Sequence, residues 1–559
     1  MRTLAVLFLA ALPAFPQQQP TFFSETIEVR IINVDVVVTD RQGHPVSGLK
    51  QEDFDLSENG KPVTISNFLE MTPADSPEPP PAGTAAATPA AANTPRPPDT
   101  RARNVVVFLD TTTIHPFTRD RIFKPLEKFL RRATRTGDHV MIVSWNPGLK
   151  VELPFTNDVA TATKTLDKLT GTTTQAIFSQ RDLESAKQRI RDLPADYKIM
   201  GSIPPISAAV AEADQYANMV THEQAQRVEA IKSVMASLRG IGGRTAMVLF
   251  TDQLATNPAM PAYDFIYRIR DQFTGGESYV PATAASRFND SSLASRIADI
   301  ANSSGITVYP VSASGLGVDL PSISAENRGE YAALTTADAT HSEDQLMALH
   351  EIAAETGGMA LTQSNNFDLA FNTLTQDMIS YYSLGYHTEG ERKDAVRSIS
   401  VRLKKKGYTV RSRASFIERS LTTEMQDAVA ANLLYPIAKN DLNVSMAKGG
   451  DAAPSPEQHV VMPVVIRIPT ASLTLIPDGT DLIGQFSSYT AFMRRDGRVS
   501  EVKRTQHQLR FPADSLKRRK EITVKYDLTI DDKTDGVSVG IMDDTSHVTG
   551  FASMPITQG

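Results

Sequence analysis

The stretch Asn104-Val105-Val106-Val107-Phe108-Leu109-Asp110-Thr111-Thr112-Thr113-Ile114 decides the fold. From Val105 to Leu109 it is apolar at every position, as a strand must be when both faces of its sheet are covered. A half-exposed antiparallel strand would alternate apolar and polar residues instead. The run then breaks into a carboxylate followed by threonine hydroxyls, which places polar chemistry at the carboxyl end of a buried strand.

Working outward, the same pattern recurs with helices between the strands. Ile122, Phe123, Leu126, Phe129 and Leu130 follow at helical spacing; Asp138 to Trp145 is a second strand, and Leu149 to Phe155 an edge strand. A helical stretch from about Val159 to Leu238 stops at Gly240-Ile241-Gly242-Gly243, before the strand Thr245 to Phe250. Leu293, Ile297, Ile300 and Ala301 lead through Gly305 to the strand Ile306 to Val311. Leu346, Leu349, Ile352 and Ala353 lead through Thr356-Gly357-Gly358 to Met359-Ala360-Leu361, and Phe367, Phe371, Leu374 and Met378 make a last helix. Strands alternating with helices predict an α/β domain over 103–388 with a doubly wound, mostly parallel sheet and a helical insertion at about 171–240.

The flanks read differently. Residues 20–72 carry short β-branched runs around Asp40-Arg41-Gln42-Gly43 and Glu58-Asn59-Gly60-Lys61-Pro62, which predicts a small all-β module. Residues 73–102 are mostly Pro, Ala and Thr, a linker composition. After the α/β domain come a β extension at 389–418, a helical connector at 419–440, and strand and turn signals over 441–559 that predict a β-sandwich. Lys404-Lys405-Lys406 with Arg411 and Arg413 forms a basic run expected on a solvated or edge-protecting strand face.

At the start of the chain, Arg2 precedes the uncharged apolar run Leu4 to Phe15, and residues 1–19 read as a signal peptide that sends the protein to the periplasm or outside the cell. No later apolar stretch approaches the 18 or so residues that cross a bilayer, so no transmembrane segment is expected in the mature chain. A formal charge of −7 over 559 residues is mild and offers no basic footprint for nucleic acid. The absence of cysteine excludes disulfides and thiolate chemistry.

In an open α/β sheet, ligands bind outside the carboxyl ends of the strands. Asp110 and Asp252 end two buried strands there, with hydroxyls from Thr111, Thr112, Thr113 and Thr251 beside them. Such hard oxygen donors suit Mg²⁺ or Ca²⁺. The plainer alternative is that each aspartate caps a neighbouring helix.

The strand ending in Asp110, the Thr251-Asp252 pair, the segment from Ile297 to Val311 and the Thr356-Gly357-Gly358 turn resemble the von Willebrand factor A fold over roughly 103–388. Val34-Asp35-Val36-Val37-Val38-Thr39-Asp40 with Gly48-Leu49 and Glu52-Asp53-Phe54, and later Tyr382-Ser383-Leu384-Gly385-Tyr386, look like the VWFA-related proteins described from acidobacterial genomes, over most of 26–416. The resemblance implies a metal-ion-dependent adhesion site. In that site an Asp-x-Ser-x-Ser loop, a Thr from another loop and a later Asp hold a divalent ion that a partner's carboxylate completes. Asp110, Thr112 and Asp252 match three of those positions, and Thr172, Thr173 and Thr174 are open candidates for another. Two positions depart from the pattern: Ile114 stands where the second loop hydroxyl belongs, and Gln253 replaces a Gly.

These features point to an exported binding or adhesion protein with a protein partner, acting through a degenerate ion site. The alternatives are a metal-free scaffold of an envelope complex, and a hydrolase with a dispersed site in the helical insertion. An enzyme is not expected: there is no HExxH pair and no Walker loop, and Val311-Ser312-Ala313-Ser314-Gly315 is not a GxSxG elbow.

Overall fold

The computed structural model describes residues 31–72, 103–114, 116–135, 138–170, 176–252, 254–312, 344, 346–362, 366–388, 394–436, 440–451, 453–455, 459–495, 497–516, 520–531 and 533–556. The signal peptide expected at 1–19, the linker at 73–102, Thr172 to Thr174 and Gln253 lie outside the described residues.

Four strands come first: β1 (Ile31–Thr39), β2 (Phe54–Glu58), β3 (Lys61–Val63) and β4 (Ile65–Met71). The α/β domain follows, with β5 (Arg103–Asp110), α1 (Pro116–Arg135), β6 (His139–Trp145), β7 (Leu149–Thr156), α2 (Val159–Thr170), α3 (Ala176–Ile199), α4 (Ile206–Ser237), β8 (Arg244–Phe250), α5 (Met260–Ile269) and β9 (Ile306–Val311). Its five strands lie in the order β7-β6-β5-β8-β9. Strands β6, β5, β8 and β9 pair in parallel, while β7 is antiparallel at the edge.

Alternation along β5 explains why the whole strand is apolar. Val105, Val107 and Leu109 enter one core with Ile122, Leu126 and Leu374, whereas Val106 and Phe108 enter a second with Ile231, Met235 and Ile297. Both sheet faces are thus covered by helices, as the run predicts. Met359 to Leu361, expected as a further strand, contributes only a single parallel bridge from Leu361 to Val311.

The flanking β segments do not stand apart. Beyond the α/β domain come β10 (Tyr381–His387), β11 (Ala395–Leu403), β12 (Thr409–Ser412) and β13 (Ser415–Glu418). They pair with the first four strands in two sheets of order β12-β1-β10-β4 and β13-β11-β2-β3. Val34, Val36, Phe54, Leu56, Leu384, Tyr386, Ile399 and Phe416 form the shared core. The module expected at 20–72 and the extension expected at 389–418 are therefore two halves of one sandwich. The α/β domain is inserted between them and ends before β10, not at residue 388. Antiparallel pairing supplies the reason: β10 satisfies its backbone groups on both sides against β1 and β4.

This sandwich grips the α/β domain through buried charge. The Arg411 guanidinium makes two hydrogen bonds of 2.6 Å to the Asp377 carboxylate, and Arg244 Nε lies 3.3 Å from Asp35 Oδ2. Arg411 is mostly buried and Arg413 is partly buried, so the solvated face expected for the basic run holds only for Lys404, Lys405 and Lys406.

The helix Leu421–Leu434 leads to the last domain. There β14 (Ser445–Lys448), β15 (Ala453–Ser455), β16 (His459–Pro469) and β20 (Glu521–Ile530) form one sheet. β17 (Ile476–Asp478), β18 (Asp481–Arg494), β19 (Lys503–Pro512), β21 (Thr534–Asp543) and β22 (Thr549–Pro555) form the other. Val464, Ile466, Phe486, Val539 and Ile541 fill the space between them, and the helix covers the second sheet's outer face with Met425 and Val429 against Tyr489 and Phe551.

Within this sandwich His507 stacks on Phe486 at 4.7 Å, with its Nε2 2.6 Å from the Tyr526 hydroxyl and 3.0 Å from Ser488 Oγ. Burial holds the imidazole below its usual value near 6.5, partly opposed by the Asp544 carboxylate. A histidine depressed in the folded state binds fewer protons there than in the unfolded chain, so its contribution is present above about pH 6.5 and is lost as pH falls through the folded value. The thermal midpoint should therefore drop between pH 7.5 and pH 5, and drop less in His507→Gln. An identical drop in both proteins would remove His507 from the pH response.

Candidate functional site

Asp110 ends β5 with its side chain fully buried. A carboxylate there needs compensation, because an isolated buried charge costs far more than any one contact returns. The structure supplies it from three directions. Oδ1 accepts the Thr112 backbone N–H at 3.2 Å and the Thr112 hydroxyl at 2.5 Å. Oδ2 accepts the Thr251 hydroxyl at 2.9 Å from the end of the neighbouring strand. Arg227 Nε sits 2.8 Å from the same Oδ2, with both side chains almost wholly buried.

Arg227 donates a hydrogen bond from Nη2 to Thr112 Oγ1 at 3.3 Å, so its guanidinium pairs with the carboxylate by charge while bonding the hydroxyl. It comes from α4, a helix of 32 residues and about 48 Å. The C-terminal half of α4 packs Val228, Ile231, Val234 and Met235 on the sheet, while Ala209, Ala213 and Ala217 of its N-terminal half join a separate core with α3 and α5. Gln224, one turn before Arg227, is buried and clamps the backbone after β8. Its Oε1 accepts the Ala255 N–H at 3.1 Å, and its Nε2 donates to the Ala255 carbonyl at 2.9 Å.

The residues expected at the site are brought to one sheet edge but divided between tasks. Thr112 and Thr251 serve Asp110, while Asp252 turns to Ser312, whose hydroxyl donates to its Oδ1 at 2.9 Å. Thr113 Oγ1 ties the two turns together by accepting the Asp252 N–H at 3.1 Å. Ile114 is buried in the core beneath α1. Asp110 caps its own turn, through the Thr112 N–H, and not the start of α1.

A divalent ion on Asp110, Thr112 and Asp252 does not fit this arrangement as it stands. Both Asp110 oxygens already accept, and a dication beside the buried guanidinium would meet like charge at contact range. Thr111, Thr112 and Thr113 are themselves buried. Among the described residues no cluster of three or more His, Asp or Glu side chains is disposed to hold a metal.

Sequence reasoning missed Arg227 and Gln224. A signal was there: Ala213, Ala217, Val220, Gln224, Arg227, Ile231 and Val234 share one helical stripe, and a charge inside an apolar stripe calls for a buried counter-ion.

No family model matches the chain, and no curated protein does. Among solved structures, it is similar to the conserved hypothetical protein BatB from Bacteroides thetaiotaomicron, at 13% identity and TM-score 0.23, over 50% of this chain and 96% of that one. A second is an aerotolerance-related membrane protein from Bacteroides fragilis NCTC 9343, carrying multiple mutations to serine, at 12% identity and TM-score 0.20, over 50% and 98%. Likeness at this level carries no functional weight. Among the described residues, no helix is long and apolar enough to cross a membrane.

Asp110→Ala would leave Arg227 buried without its principal counter-ion, which should cost about 3–5 kcal/mol in urea unfolding of the α/β domain. A loss of under about 1 kcal/mol, the size of a surface pair, would mean the guanidinium is solvated.

Proposed function

We propose that this chain is an exported binding protein whose von Willebrand factor A-like domain holds a protein partner without a bridging divalent ion, as a scaffold of the cell envelope. The observation that carries this reading is the buried Asp110–Arg227 pair, which occupies the carboxylate an ion-bridged contact would need. Binding is preferred to catalysis because, among the described residues, the buried Asp110 carboxylate is engaged by Arg227, Thr112 and Thr251, and the Gln224 amide by the Ala255 backbone. The export half of the reading rests on the Arg2 and Leu4–Phe15 pattern.

The surface best suited to contact is the end of the helical insertion. Where α3 ends and the turn to α4 begins, the chain presents Ile199, Met200 and Ile203, which are 86%, 75% and 64% exposed. Large apolar side chains exposed together mark contact surfaces more often than chance, and aliphatic anchors of this kind fill pockets on a partner.

The test is capture from envelope extract on immobilised full-length protein, in chelator and in millimolar Mg²⁺. Retention should be equal in the two buffers and fall at least ~tenfold when Ile199 and Met200 are both changed to Asp, equivalent to about 1.4 kcal/mol. Partners released by chelator alone would contradict the ion-free reading. Retention that the double substitution leaves intact would move the contact away from the helical tip.

A further inference from the structure

We propose that Arg227 is the resident cation of the sheet edge, its guanidinium standing where the resemblance calls for a divalent ion. This rests on the ion-free reading above and goes a step further, since it assigns the charge that replaces the ion and the helix that delivers it.

Three observations converge. Arg227 makes the contacts a cation would make at this place: Nε on Asp110 Oδ2 at 2.8 Å and Nη2 on Thr112 Oγ1 at 3.3 Å. Those two acceptors belong to the pair of loop residues that match the ion-binding pattern, and Thr251 closes on the same carboxylate from the neighbouring strand. The position of the missing loop hydroxyl is consistent with this. Ile114 is buried in the core against α1, a place open to an apolar side chain once no ion needs a further oxygen ligand.

The exchange alters how the edge behaves. A bound ion leaves when its concentration falls, whereas an arginine on a packed helix is permanently present and permanently charged. The edge is then assembled at any divalent concentration. It is also tied mechanically to α4, because Gln224 on the same face holds the Ala255 backbone after β8. Lysine would be a poor substitute, since a single ammonium lacks the planar fork that reaches carboxylate and hydroxyl at once.

Mn²⁺ binding followed by electron paramagnetic resonance, with thermal unfolding in parallel, tests this on the full chain. The wild type should show no Mn²⁺ binding that Asp110→Asn removes, and its Tm should be the same in chelator and in millimolar Mn²⁺. Arg227→Ala should have a lower Tm that Mn²⁺ partly restores, and the restoration should vanish when Asp110→Asn is added. Arg227→Lys should fold with an intermediate Tm, which keeps the test open should the alanine variant not fold. Mn²⁺ held by the wild type through Asp110 would overturn the proposal, as would an Arg227→Ala loss that Mn²⁺ leaves untouched. Partner release by chelator without any Mn²⁺ binding at Asp110 would instead count against the ion-free function and leave the role of Arg227 standing.

Discussion

A carboxylate at the end of a fully buried strand cannot be left to itself, and the rest of this structure is arranged around how Asp110 is neutralised. Its counter-charge comes from Arg227, far along the chain on a helix that the sheet alone would not require. Desolvating both charges is expensive, and the pair is tolerable only because further hydrogen bonds, from Thr112 and Thr251, satisfy the remaining lone pairs. The interaction therefore fixes three things together: the turn after β5, the turn after β8, and the height at which α4 crosses the sheet edge.

That crossing changes what the domain can offer. The carboxyl edge of a parallel sheet is ordinarily its open binding face. Here the threonines of the first turn are buried, and α4 continues past the edge into a separate helical core built on Ala209, Ala213, Tyr263 and Phe273. Among the described residues, the two most exposed large apolar side chains, Ile199 and Met200, lie at the far end of that insertion, where the proposed partner surface is placed. The sandwich made from β1–β4 and β10–β13 closes the opposite side through Arg411–Asp377 and Arg244–Asp35, while the N-terminal half of α4 packs with α3 and α5.

Much of the α/β sheet was legible because its strands are continuous apolar runs, and a run such as Val105 to Leu109 has few other homes. The shared sandwich was not. Val34 to Val38 and Tyr382 to Tyr386 each read as strands, but nothing local in either says that Val34 pairs with Leu384 across the whole inserted domain. The site was half legible for the same reason. Asp110, Thr112, Thr251 and Asp252 announce themselves by ending strands, whereas Arg227 sits in a helix that looks polar until its apolar stripe is traced through Gln224 to Ile231. Local pattern shows which residues must be compensated; only the tertiary structure shows by what.

The most direct test of Arg227 as the edge's cation is a crystal structure of the full chain grown in Mn²⁺, with anomalous scattering recorded at the manganese edge. The expected result is an Arg227 guanidinium in contact with Asp110 and Thr112, with no anomalous peak beside them. An anomalous peak at Asp110, with Arg227 turned away from it, would contradict that assignment.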